Sequence, residues 1–140
     1  MKNNRAKSFV TVMAIIAVSA LVLRVLIDRG IKLITAQNES NASTTLKLIS
    51  TALENYAEDN NGVYPQNLSV LTQVEPVYLQ KSYMTGSPLK GYNYGCPRLE
   101  PSGYTCYANP IFCNLTGKMV FTVTTGGLLV SEECKQREEE

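Results

Sequence analysis

Apolar and polar positions follow three regimes along the chain. From Phe9 to Ile27 the residues are almost continuously apolar, interrupted by one charge at Arg24. This stretch of 19 residues would measure about 28 Å as an α-helix, close to the thickness of a bilayer core. From Thr44 the pattern becomes periodic. Leu46, Ile49, Leu53 and Tyr56 recur at i, i+3, i+7 and i+10 and so line one helix face, with Lys47, Glu54 and Glu58 between them on positions that can stay solvated. Asn60-Asn61-Gly62 supplies residues that tolerate the left-handed conformation past a helix end, and Tyr64-Pro65 blocks continuation. Between these two regions, 28–43 is helix-compatible but weakly amphipathic, with Gly30 and the polar run Gln37 to Asn41. It predicts either a continuous stalk or a looser segment. Unbroken from Phe9 to Asn60, the helix would be about 78 Å long.

After Gly62 the period changes. Pro65 to Leu71 predicts one short helix or turn with Leu68 and Leu71 inward, and Pro76 and Pro88 bound a loop-rich stretch. Gly91 to Cys96 and Gly103 to Tyr107 predict two arms of an antiparallel hairpin joined through Pro97 to Ser102. Lys118 to Thr124 alternates and is β-branched, Gly126-Gly127 predicts a tight turn, and Leu128 to Val130 returns. The tail from Lys135 to Glu140 is charged and expected to fray. The expected fold is α+β: a long N-terminal helix, membrane-spanning in its first half, packed on a small antiparallel sheet. The expected segments are 1–8 basic, 9–27 transmembrane, 28–62 stalk and amphipathic helix, and 63–140 a β-rich head.

Charge sets the expected orientation. Lys2, Arg5 and Lys7 precede the apolar run, which argues for a cytoplasmic N-terminus and an exported remainder. Arg24, Arg29 and Lys32 on the far side weaken this without reversing it, because Asp28 lies among them, and Arg24 can snorkel to the headgroups. A secretory signal cut after Ala20 is the rival reading. It would leave Leu21 to Leu23 and Val25 to Ile27 as an exposed apolar end, which favours an anchor instead.

The four cysteines, Cys96, Cys106, Cys113 and Cys134, all lie in the exported part. Three pairings are possible. The expected one joins Cys96 to Cys106 across the first hairpin and Cys113 to Cys134 around the second, since a head of this size has a marginal core and gains from staples outside the cytoplasm. A four-cysteine zinc site competes, but no Cys-x-x-Cys pair is present.

Little in the chain points to catalysis. Net charge is +1, with no basic field for nucleic acid, and histidine is absent. No nucleophile elbow, phosphate loop or metal-ligand spacing occurs, so no catalytic, cofactor-binding or metal-binding residue is expected. Glu54 and Glu58 at i, i+4 fit a solvated helix face better than an acid/base pair, and Asp59-Asn60 lacks the rest of a calcium loop. Tyr92, Tyr94, Tyr104 and Tyr107 could make an adhesive surface or simply stabilise the hairpin by cross-strand contact. Sequons at Asn38, Asn41, Asn67 and Asn114 count only in a glycosylating host.

A basic N-terminus, an apolar helix containing MAIIAV, the run LKLISTALENYAEDNNGVYP and a small sheet ending in TGGLLVSEEC together resemble type IV pilins and the pseudopilins of type II secretion. The resemblance covers nearly the whole chain and is most specific at ISTALENYAEDNNGVYPQNL. It implies a filament-core helix, here containing Phe9, Met13, Ile16 and Arg24, with a disulfide-stapled head facing outward. It also implies that Cys113 and Cys134 form the C-terminal disulfide loop of that family, and that a prepilin peptidase cuts between Ser8 and Phe9 and methylates Phe9. Three features depart from the pattern. Ser8 stands where the family has glycine, Met13 stands at the fifth mature position in place of glutamate, and the helix-breaking proline is missing. Met13 cannot neutralise a neighbouring subunit's terminal amine. Arg24 adds a charge inside the would-be core.

The resemblance thus implies a structural subunit, of a minor kind, held in the inner membrane with its head periplasmic or extracellular and partnered by other pilin-like subunits. A monomeric membrane-tethered periplasmic binding domain is the alternative, and an exported enzyme a distant third.

Overall fold

The structure, a computed structural model, describes residues 3–83 and 87–135, with side chains from Phe9 onward. Helix α1 spans Asn3–Asp59 and a short α2 spans Val70–Gln73. Four strands follow: β1 Tyr92–Glu100, β2 Gly103–Pro110, β3 Met119–Thr124 and β4 Leu128–Glu133. They form one antiparallel sheet in the order β1-β2-β3-β4. The chain divides into two compact units, Met1–Ile34 and Thr35–Glu140.

In the first unit every described side chain from Phe9 to Arg29 is exposed. By length and composition α1 can cross a membrane, and a helix apolar on all sides suits a lipid environment better than water. No break occurs at Gly30: the backbone is helical through it, as part of α1.

In the second unit the later part of α1 lies across the sheet. Leu46, Ile49 and Leu53 are fully buried, with Tyr56 half-buried at the end of the same stripe. Complete burial of each aliphatic side chain is worth about 2 kcal/mol. Facing them from the sheet are Tyr92, Tyr94, Tyr104, Cys106, Ala108 and Val123, with Leu71 and Leu79 closing one side. This is the expected α+β arrangement of a long helix on a small antiparallel sheet.

The helix stop works as its residues predict. Asn61 and Gly62 take positive φ values of 58° and 81°, and the Gly62 amide donates back to the Ala57 carbonyl at 2.7 Å. These contacts satisfy carbonyls that a helix end leaves unpaired. Gly126 and Gly127, at φ 82° and 75°, turn β3 into β4. Residues 66–69 form turns rather than helix, and α2 begins only at Val70, placing Leu71 in the core and Leu68 at its margin.

The first hairpin needs a correction. Its turn is not the long Pro97–Ser102 connection: β1 continues to Glu100, and only Pro101 and Ser102 link it to β2. Pro97 sits within β1, where the register shifts between Gly95 and Arg98. An edge strand tolerates this, because a missing outward N–H costs no ladder bond and a bulge absorbs the irregularity.

The disulfides join Cys96 to Cys106, at a Cα separation of 4.0 Å, and Cys113 to Cys134, at 5.8 Å. Lys2 and the tail from Gln136 to Glu140 lie outside the described residues, as do the side chains of Arg5, Lys7 and Ser8.

Candidate functional site

The residues expected to form a filament core lie in the first unit. Phe9, Met13 and Ile16 fall at i, i+4 and i+7, and Arg24 at i+15 returns to the same helix face. Phe9, Met13 and Ile16 are 63%, 52% and 56% exposed, and Arg24 is exposed as well. The backbone is helical through Ser8 and Phe9, so no turn marks the expected cleavage point.

In the second unit, polar chemistry gathers at Glu54. Its carboxylate was expected to stay in solvent; instead it accepts three hydrogen bonds. The Tyr64 hydroxyl donates to Oε2 at 2.8 Å, the Tyr104 hydroxyl to Oε1 at 2.8 Å, and the Gly126 amide to Oε1 at 2.7 Å. Ser50 Oγ lies 2.8 Å from the Tyr104 hydroxyl. The single phenolic proton of Tyr104 goes to Glu54, so Ser50 is the donor in that contact. The rings of Tyr64 and Tyr104 meet edge to face at 5.3 Å.

One carboxylate therefore ties together α1, the loop after its stop, β2 and the β3–β4 turn. Glu58, one turn further along, is exposed. Burial holds the Tyr104 phenol far above its ordinary pKa, aided by Glu54 and opposed by Ser50, and burial with Glu54 does the same more mildly for Tyr64. Such phenols stay neutral donors. Their arrangement clamps loops rather than preparing a phenolate for reaction.

A second polar row runs along α1 nearer the first unit. Thr35 Oγ1 donates to the Leu115 carbonyl at 3.4 Å and Asn38 Nδ2 to the Thr116 carbonyl at 2.9 Å. Glu39 accepts from the Lys118 amide at 2.7 Å. All three acceptors or donors on the sheet side belong to the segment stapled by Cys113–Cys134. Lys90 Nζ reaches Asn41 Oδ1 at 3.3 Å. The expected weak stalk is thus docked from Thr35 onward.

A sequence signal for this row exists. Thr35, Glu39, Ala42, Leu46, Ile49, Leu53 and Tyr56 alternate by four and three, so the buried stripe extends two turns further back than its apolar members show. Glu54 has no such signal, because its partners lie 10, 50 and 72 residues away.

The tyrosines settle on two faces. Tyr92, Tyr94 and Tyr104 are buried against the helix, and only Tyr107 lies on the opposite face, its ring over Gly95. An outward tyrosine surface built from all four is therefore not what the fold presents. Among the sequons, Asn38 and Asn41 are held by the contacts above, whereas Asn67 and Asn114 are exposed. Among the described residues no three His, Cys, Asp or Glu side chains gather as a metal site. No protein-family model and no curated protein matches this chain.

Proposed function

We propose that this protein is a membrane-anchored structural subunit of a type IV pilus-like or type II secretion pseudopilus-like filament, and a minor component of it. One observation carries the proposal: an unbroken helix whose first part is apolar and exposed on all sides, and whose last part forms the core of a disulfide-stapled sheet. A helix of that kind can serve a bilayer before assembly and neighbouring helices after it. The N-terminus would be cytoplasmic, the helix in the inner membrane and the head periplasmic or on a surface filament. Met13 in place of a carboxylate and Arg24 within the apolar face support a minor rather than a repeating position, since neither helps identical copies pack.

The test is the intact mass of the protein extracted from its native membrane. Loss of residues 1–8 with a methyl group on Phe9 is the expected result. A chain cut after Ala20 would lack the anchor and overturn the proposal. Cysteines placed at Val10 or Val18 add a second readout: crosslinks to pilin-like subunits are expected at native expression, and a purely monomeric product would favour a tethered binding domain.

A further inference from the structure

The two edges of the sheet are treated differently. β1 is guarded. Its register breaks between Gly95 and Arg98, Pro97 interrupts it, and Leu89 folds back to exchange both backbone hydrogen bonds with Tyr92, at 2.8 and 3.1 Å. β4 has none of these devices. Its six residues pair with β3 without a register shift, from Leu128 opposite Thr124 to Glu133 opposite Met119. Among the described residues, no strand pairs with its other side. Leu128 and Val130, 64% and 45% exposed, project from the sheet face opposite the helix, while Leu129 packs toward the core. Proteins ordinarily blunt such an edge with charged side chains, proline or a bulge; β4 has charge only at its end, at Glu132 and Glu133, and neither of the other two.

We propose that the free edge of β4 docks an extended peptide strand that carries lysine or arginine beside alternating apolar residues. The backbone of the incoming strand would pair with the outward N–H and C=O groups of β4, and its alternate side chains would lie along Leu128 and Val130. Charge selects the rest. Glu132 and Glu133 are exposed and have no ion-pair partner among the described residues.

A second copy of this chain fits less well. Parallel pairing in register sets each glutamate against its own counterpart. Antiparallel pairing centred on Val130 and Ser131 sets them against leucines, and β4 offers no cation in either case. A cationic strand from another protein supplies the missing charge.

The experiment uses the full chain in a non-ionic detergent and a fluorescent peptide, Lys-Lys-Thr-Val-Thr-Val, which in antiparallel register sets its lysines against Glu133 and Glu132. Binding is read by anisotropy, and the site by hydrogen exchange. The expected result is saturable binding with slowed exchange in β4. Backbone N-methylation at alternate residues should weaken binding at least about tenfold, because it removes strand pairing but keeps the side chains. The E132K/E133K double variant, changed only at exposed positions, should reverse the preference toward Glu-Glu-Thr-Val-Thr-Val. Absence of binding, equal binding of the N-methylated peptide, or protection away from β4 would each overturn the proposal. Dimerisation of the free protein through β4, seen by sedimentation, would overturn it in favour of a second copy.

Discussion

Glu54 on α1 and Tyr104 on β2 meet at 2.8 Å, fifty residues apart in sequence. The contact does more than join helix to sheet. The same carboxylate oxygen holds the Gly126 amide of the β3–β4 turn, and its partner oxygen holds Tyr64 beyond the helix stop. Glu54→Ala leaves two phenols and an amide without their acceptor and should destabilise the head by about 2–3 kcal/mol. Glu54→Gln keeps an acceptor oxygen and should cost less. The denaturant midpoint, followed by tyrosine fluorescence in the absence of tryptophan, measures both.

Alkaline pH should act through Tyr104 and Tyr92. Burial raises both phenols above the ordinary value of 10.0, with Glu54 contributing at Tyr104 and Glu39 at Tyr92. A folded-state value above the unfolded one means that the neutral form belongs to the fold. Its contribution is fully present below pH about 10 and lost progressively above it. In a spectrophotometric titration, Tyr104 and Tyr92 should ionise only as the head unfolds. Tyr104→Phe should lower stability at neutral pH yet flatten the loss above pH about 10.

Gly117 has no room for a side chain. A Cβ there would collide with the hydroxyl end of Tyr92, which is fully buried and donates to the Met119 carbonyl at 2.8 Å. Since that ring is held at both ends, Gly117→Ala should destabilise the head by about 1–3 kcal/mol. Gly126→Ala meets no atom within 4 Å, so its cost should come from its positive φ alone and be nearer 1 kcal/mol. Thermal denaturation of the two variants side by side separates steric from conformational cost.

Opening Cys113–Cys134 should cost about 3 kcal/mol, and opening Cys96–Cys106 slightly less, because the loops closed span 21 and 10 residues. The paired serine variants test this by denaturation. Their effects should also differ in place: loss of Cys113–Cys134 should speed amide exchange at Lys118, whose N–H depends on Glu39, while loss of the other pair should leave it slow.

Much of this protein is written in local pattern. The apolar run from Phe9, the stripe Leu46, Ile49, Leu53, the Asn61-Gly62 stop and the Gly126-Gly127 turn depend on periodicity and on which residues tolerate positive φ, and both are properties of short stretches. The sequence by itself therefore determined the helix, its end, the second hairpin and the α+β class. Tertiary structure alone decided what Glu54 does. A carboxylate between apolar positions looks solvated until donors from three distant segments converge on it, and no local rule carries that information. Thr35 and Glu39 stand between the two cases: their four-and-three spacing continues the buried stripe, but only the fold shows that they and Asn38 meet backbone groups of Leu115, Thr116 and Lys118. Pro97 went the way of Glu54, since a proline reads as a break unless the strand is known to lie at an edge. Periodicity reports which face is buried. Only the fold reports what that face is buried against.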